Sequence, residues 1–177
     1  MLNSQREGTV AQWAPVFMAH TEGWVLLATS DKRIVGYFSF FALNERAYRK
    51  AETGALLDSE VTIEATIPLD TPGVYKAYFV LLAALPEFPR AGARLLDAFF
   101  DQLEALARRG VLFEEMLANA YTPDGKRICK GFGMEKVCDR RDFGEVYRLR
   151  LNPWPESLCF KRWTQLKALY EAKIIRV

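Results

Sequence analysis

The sequence predicts an α/β protein with one mixed, twisted sheet flanked by helices. Three observations carry this reading. Runs rich in β-branched and aromatic residues come in close pairs near both ends: Trp24 to Thr29 with Ile34 to Phe41, and Met134 to Val137 with Glu145 to Leu151. Such pairs around a short polar turn read as antiparallel hairpins. Between them the order strand, helix, strand (Val74 to Leu85, Ala93 to Arg109, Val111 to Ala120) implies a right-handed crossover with parallel strands. Finally, 177 residues, half of them hydrophobic, fit one domain with a substantial core, spanning 1–177.

The elements follow in order. Thr9 to His20 reads as a short helix with Val10, Trp13, Ala14 and Phe17 on one face. Ser30 to Arg33 is the turn of the first hairpin. Asn44 is a plausible N-cap for Glu45 to Glu52, and Gly54 a plausible stop. Val61, Ile63, Ala65 and Ile67 alternate with Thr62, Glu64 and Thr66, the pattern of a strand with one wet face. Val74 to Leu85 is the longest apolar run, read as a strand covered on both faces. Pro86 to Gly92 is a loop. Leu95, Leu96, Phe99, Phe100, Leu103 and Leu106 then form the stripe of the best helix, closed by Arg108, Arg109 and Gly110. Thr122-Pro123-Asp124-Gly125 opens a short helix toward Lys130. Residues 153–177 form a C-terminal helical extension, with Ser157 to Tyr170 as one amphipathic helix whose Cys159, Trp163, Leu166 and Tyr170 pack on the domain or on a second copy, making a homodimer possible.

Composition excludes several classes. The balance of 24 Lys+Arg against 22 Asp+Glu leaves +2, so a nucleic-acid partner has little support. No apolar run approaches the ~20 residues of a membrane span, and the polar start, Met1 to Gly8, lacks a signal-peptide core. Cys129, Cys138 and Cys159 show no metal-ligand spacing and His20 is the single histidine, so no metal site is expected. Free thiols in a reducing cytoplasm are the simplest reading. Lys126, Arg127, Lys130, Lys136, Arg140 and Arg141 interleave with Asp124, Glu135, Asp139 and Asp142 as a mixed, solvated surface.

The run Arg33-Ile34-Val35-Gly36-Tyr37-Phe38-Ser39-Phe40-Phe41 resembles the "dgkivGy" hairpin of GNAT-superfamily N-acetyltransferases. Val80 to Leu96 is similar to that family's central strand, acyl-CoA loop and following helix. Ala118-Asn119-Ala120 through Phe132-Gly133-Met134-Glu135 resembles its late strand, short helix and "GF" turn. The resemblance covers roughly Trp24 to Leu151 and implies a GNAT-like acyl-CoA N-acyltransferase fold with acetyl-CoA as co-substrate. The family begins with one further strand, which has no counterpart ahead of Thr9. The stretch 44–73 becomes an insert near the acceptor side.

The resemblance also implies site residues. A loop feeding a helix N-terminus holds a diphosphate through unpaired N–H groups and the positive dipole end. Arg90, Ala91, Gly92, Ala93 and Arg94 are the candidates, with Lys126 and Arg127 as further phosphate contacts. The family pattern Arg/Gln-x-x-Gly-x-Gly/Ala is departed from here. Anchored on Gly92, Pro89 takes the Arg/Gln position and Arg94 the last small one; anchored on Leu96, Ala91 and Ala93 take the small positions and Phe88 the first. Leu82, Ala83 and Ala84 would pair with the pantetheine arm as if it were a strand, and Asn119 matches an asparagine that contacts it.

Transfer to an amine acceptor needs a base and an acid. The central strand carries no carboxylate, only Tyr75, Lys76 and Tyr78 as polar side chains. Taking Gly133-Met134 as the "GF" pair puts Cys129 at the family's tyrosine position; taking Gly131-Phe132 puts Arg127 there. Tyr121 is a second candidate acid, Glu64 a candidate base, and Tyr78 a relay or acid. Glu60, Glu64, Glu114 and Glu115 suggest an acidic acceptor groove. The two functions in view are acetyl transfer from acetyl-CoA to a primary amine of a small molecule or peptide, and a non-catalytic module that binds a protein or acyl-CoA.

Overall fold

The computed structural model describes residues 8–140 and 143–174. Residues 1–7, with most of the polar start, Arg141 and Asp142 of the charged stretch, and 175–177 at the end of the expected C-terminal extension lie outside the described residues. Helix α1 (Val10–Ala19) leads into strands β1 (Trp24–Ala28) and β2 (Ile34–Leu43), then α2 (Glu45–Glu52). Two 3-10 turns and the short β3 (Thr66–Ile67) precede β4 (Gly73–Ala84), α3 (Ala91–Arg108) and β5 (Val111–Ala120). The chain continues through α4 (Pro123–Gly131), β6 (Glu135–Asp139), β7 (Glu145–Arg150), α5 (Leu158–Lys161) and α6 (Thr164–Ile174). The seven-stranded sheet runs β1-β2-β4-β5-β7-β6, with β3 beside β2. Among the described residues only β4 and β5 pair in parallel. The mixed sheet with antiparallel flanks is the architecture expected.

Two cores sandwich the sheet. One is built from Leu95, Phe99, Phe100, Leu103 and Leu106 of α3 against Phe38, Phe40, Phe113 and Met116, and it takes in Phe160, Leu166 and Tyr170 from the C-terminal helices. The other packs Val16, Tyr48, Leu56 and Val61 against Phe41, Tyr78, Leu117 and Val146. The close approach of β2 and β4 needs Gly36: a Cβ there would fall 2.8 Å from the Ala83 carbonyl and 2.9 Å from Leu95. Asn44 caps α2 as read, its side chain accepting from the Ala47 N–H at 2.9 Å, and Gly54 leaves the helix at φ +70.

Several expectations are corrected. Val10 is 84% exposed; the buried edge of α1 is Trp13, Val16, Phe17 and His20, one turn-phase away, because the helix leans on Phe41. The alternating stretch Val61 to Ile67 is not a strand beyond Thr66–Ile67. β1 already occupies the edge of β2 from Ile34 to Ser39, leaving Ala42 and Leu43 as partners for β3. The rest turns through Ile63–Ala65, tied by Thr66 Oγ1 donating to the carbonyls of Thr62 and Ile63. α3 starts at Ala91, earlier than read, because Arg90 is already αR and the Phe88 carbonyl takes the Ala91 N–H at 2.9 Å. The C-terminal stripe does pack on the domain, but on two helices, with Trp163 stacked on Phe100 at 4.9 Å and the Tyr170 hydroxyl accepting from the Phe113 N–H at 3.1 Å.

The acidic groove dissolves. Glu60 is held by Lys50 at 2.8 Å, Glu114 stands 3.7 Å from Lys76, and Glu115 accepts from the Tyr48 hydroxyl at 2.9 Å. Arg148 and Arg150 flank Glu115 as well. Arg140, read as solvated, has a side chain only 2% exposed. Among the described residues no helix is long and apolar enough to cross a membrane.

Candidate active site

β4 is followed by β2 to its end, Gly36 facing Ala84, but by β5 only as far as Phe79 opposite Ala118. The register of β2 on β4 slips between Ser39 and Phe40, so Val80 is an extra residue on β4. A bulge adds twist and bends its strand, and here β4 and β5 part just beyond it. Leu81 to Ala84 therefore present a strand edge in the middle of the sheet, with no strand opposite among the described residues. Such an edge is a template for an extended, amide-bearing chain. This opening also explains why β4 is not covered on both faces as read: Leu81 is 37% exposed.

A cavity of about 450 Å³ fills the opening. Its walls are Val80 to Ala84 of β4, Ala118 to Ala120 of β5 with Tyr121 just after it, Leu96 and Phe99 of α3, and Asp124, Ile128 and Cys129 of α4. Thus Leu82, Ala83, Ala84, Asn119, Tyr121 and Cys129 come together. Arg90 to Arg94 stand a turn further out, at the start of α3. There the amides of Phe88 and Ala91 are spent on the carbonyls of Leu85 and Phe88. Those of Gly92 and Ala93, the second and third helical positions, have no partner among the described residues. Nothing lies within 4 Å of a Cβ built on Gly92, so that end of the helix is open to an incoming group. The side chains of Arg90 and Arg94 are exposed beside it.

The inner end of the cavity is polar. The Tyr121 oxygen receives a hydrogen bond from the Arg140 guanidinium and lies 3.4 Å from Asp58 Oδ2. With its carboxamide oxygen turned inward, Asn119 accepts from the Tyr121 hydroxyl at 2.8 Å and donates to the Glu145 carbonyl at 3.2 Å. Its side chain is thus committed to this cluster. Asp58 and Arg140 form a buried ion pair at 3.6 Å. The Tyr78 hydroxyl donates to Asp58 Oδ1 at 3.0 Å, behind the cavity wall rather than on it. Burial, and then the Asp58 charge, push the Tyr78 phenol well above its ordinary range.

The remaining candidates lie elsewhere. Glu64 sits on the exposed turn beside β3, at the opposite end of β2 from the cavity, and its bond with Thr62 lowers its carboxyl below the usual value. Cys129 faces the cavity from α4, which Thr122 caps by accepting from the Gly125 N–H at 3.0 Å. Burial raises its thiol to about 11. Arg127 is paired with Asp124 and Lys126 with Glu145, so the basic face of α4 is largely neutralised. Asp58 and Arg140 went unread in the sequence: one sits in an insert with no motif, the other in a charged run that looks solvated, and remote ion pairs have no local signature.

The described fold, a mixed seven-stranded sheet flanked by helices, is the GNAT acetyltransferase fold. An acetyltransferase of the GNAT family from Staphylococcus aureus Mu50 superposes with a TM-score of 0.50 at 9% identity, covering 80% of this chain and 77% of that one. Arabidopsis thaliana Naa50, solved with the bisubstrate analogue CoA-Ac-MVNAL, gives 0.49 at 14% identity over 81% and 82%. Ard1 from Thermoplasma volcanium gives 0.48 at 15% identity over 82% of each chain. No protein-family model and no curated protein sequence matches the chain.

Proposed function

We propose that this protein is an N-acyltransferase that moves an acetyl group from acetyl-CoA to a primary amine of a small molecule or peptide. The observation that carries the reading is the unpaired stretch Leu81 to Ala84 beside a cavity that lies between Leu96 of α3 and Tyr121, one turn in from the start of that helix. The residues fit the substrate's parts. The free amides of Gly92 and Ala93, with Arg90 and Arg94, suit a diphosphate. The backbone of Leu82, Ala83 and Ala84 suits the amides of a pantetheine arm.

In the reaction a C–N bond forms as the thioester C–S bond breaks, the sulfur leaves with the electron pair and takes a proton, and the nitrogen loses one. Tyr121 is the better acid of the two on the wall. Its hydroxyl sits in a polar cluster of hydrogen-bonding groups, whereas Cys129 is buried among apolar side chains that raise its thiol to about 11 and leave a thiolate there poorly solvated. Orientation of the thioester in the gap supplies much of the rate.

A second reading, an acyl-CoA-binding module without turnover, is favoured by one observation: Asp124, the carboxylate on the cavity wall, is tied to Arg127. Titration calorimetry with acetyl-CoA, followed by thiol release in the presence of an amine and peptide panel, separates the readings. Binding with turnover supports transfer. Binding without turnover selects the module, and no heat at millimolar acetyl-CoA sinks both.

A further inference from the structure

We propose that the Asp58–Arg140 ion pair positions Tyr121, so that the hydroxyl on the cavity wall is held in its working orientation by two side chains that do not themselves line the cavity. The kinetic half of the test rests on the transferase reading; the spectroscopic half does not.

Three observations support this. First, Tyr121 is over-determined. Arg140 donates to its oxygen and also stacks over its ring at 5.4 Å, Phe143 stacks on the ring at 6.0 Å, and Asn119 and Asp58 both offer acceptors to its proton. Second, the pair is costly to bury. Taking two charges from water costs several kcal/mol per ion, and an apolar pair of similar size is often as stable. A buried pair is weak ground for stability, so its hydrogen bonds to a cavity-wall phenol give it a different use. Third, its members come from the two irregular segments that flank this end of the sheet: Asp58 from the turn Asp58–Glu60 of the insert, Arg140 from the connection between β6 and β7. A Cβ added at Gly54 would fall 3.1 Å from the Arg140 Cα, so the bare glycine lets the insert come this close. The ion pair thereby fastens both segments to one side chain, and Tyr121 inherits their placement.

Asp58→Asn keeps the shape and removes the charge; Arg140→Lys keeps the charge and removes the planar fork. Each is made alone and with Tyr121→Phe. Two readouts are taken on folded protein: the ζ-carbon NMR signal of Tyr121 in tyrosine-labelled protein, assigned by its loss in Tyr121→Phe, and kcat with KM for acetyl-CoA. A positioning pair shifts or broadens the Tyr121 signal in both single variants and lowers kcat by about tenfold or more, with KM held within about twofold. In the Tyr121→Phe background the same substitutions change kcat by less than about twofold, since they act through the missing hydroxyl. An unmoved Tyr121 signal overturns the proposal, as do equal losses of kcat with and without Tyr121. Failure of both single variants to fold would make the pair a fold-holding device and overturn it too. If the wild-type protein shows no turnover, the transferase reading falls and the NMR signal alone decides the positioning.

Discussion

Cys129 offers a quantitative test of the cavity's inner wall. It is buried in a small cluster with Ala120 and Tyr147, and burial raises its thiol from 9.0 to about 11. The cause is desolvation: the thiolate loses its water and gains little in return. A rise of about two units means about a hundredfold less thiolate anywhere below pH 9. The perturbation is the double substitution Cys138→Ser and Cys159→Ser, which leaves Cys129 as the single thiol; serine at 138 retains a donor for the Glu52 carbonyl that Cys138 now serves at 3.4 Å. The assay is the initial rate of alkylation by iodoacetamide from pH 7 to pH 11, against the same chain in denaturant. Restricted access scales the rate at every pH, so the shape of the profile is the decisive quantity. The folded protein is expected to keep gaining about tenfold per pH unit through pH 10, while the unfolded chain levels off above pH 9. A folded-state plateau by pH 8 to 9 would refute the burial argument and return Cys129 to contention as the acid. The sign for stability follows: protection of the neutral thiol is fully present below pH 9 and lost as pH climbs toward 11.

Three further outcomes follow from the same geometry. Charge reversal at the start of α3, Arg90→Glu with Arg94→Glu, is expected to raise KM for acetyl-CoA by about tenfold or more, most at low salt; an unchanged KM would remove the diphosphate from that helix end. His20 is buried, with Nε2 2.7 Å from Thr66 Oγ1, and burial lowers its pKa from 6.5. Its contribution is present above pH 6.5 and lost as pH falls below it, so urea midpoints at pH 7 and pH 5.5 should diverge more for the wild type than for His20→Gln; parallel losses would contradict this. Phe100 meets Phe160 at 5.0 Å and Trp163 at 4.9 Å, so Phe100→Ala is expected to cost about 3–5 kcal/mol and to lower Tm by roughly 10 °C in a thermal melt. A loss below about 1 kcal/mol would show that the C-terminal helices are not seated through it.

Much of the secondary structure is legible locally. Asn44 caps the helix its position predicts, and Thr122 caps the short helix that Thr122 to Gly125 opens, since a side-chain acceptor three residues ahead of a free amide is a local device. The α3 stripe holds, with Leu96 only partly buried because it packs on the core and also lines the cavity. Local signals failed where a neighbour decided the outcome. The alternation from Val61 to Ile67 has strand periodicity, but most of the β2 edge it needed is occupied by β1. Val10 has the right spacing for a buried face, but tertiary contact with Phe41 chose the adjacent one.

The order of helices and hairpins, the apolar faces and the small-residue bend ahead of α3 were therefore written in the amino-acid sequence, because spacing and capping act over a few residues. Tertiary structure alone decided where β4 and β5 part and which polar groups line the gap. The parting comes just past one extra residue, Val80, in the register of β2 on β4, and the Asp58–Arg140 pair joins chain segments that meet only once the sheet has closed. Neither leaves a periodic or local mark.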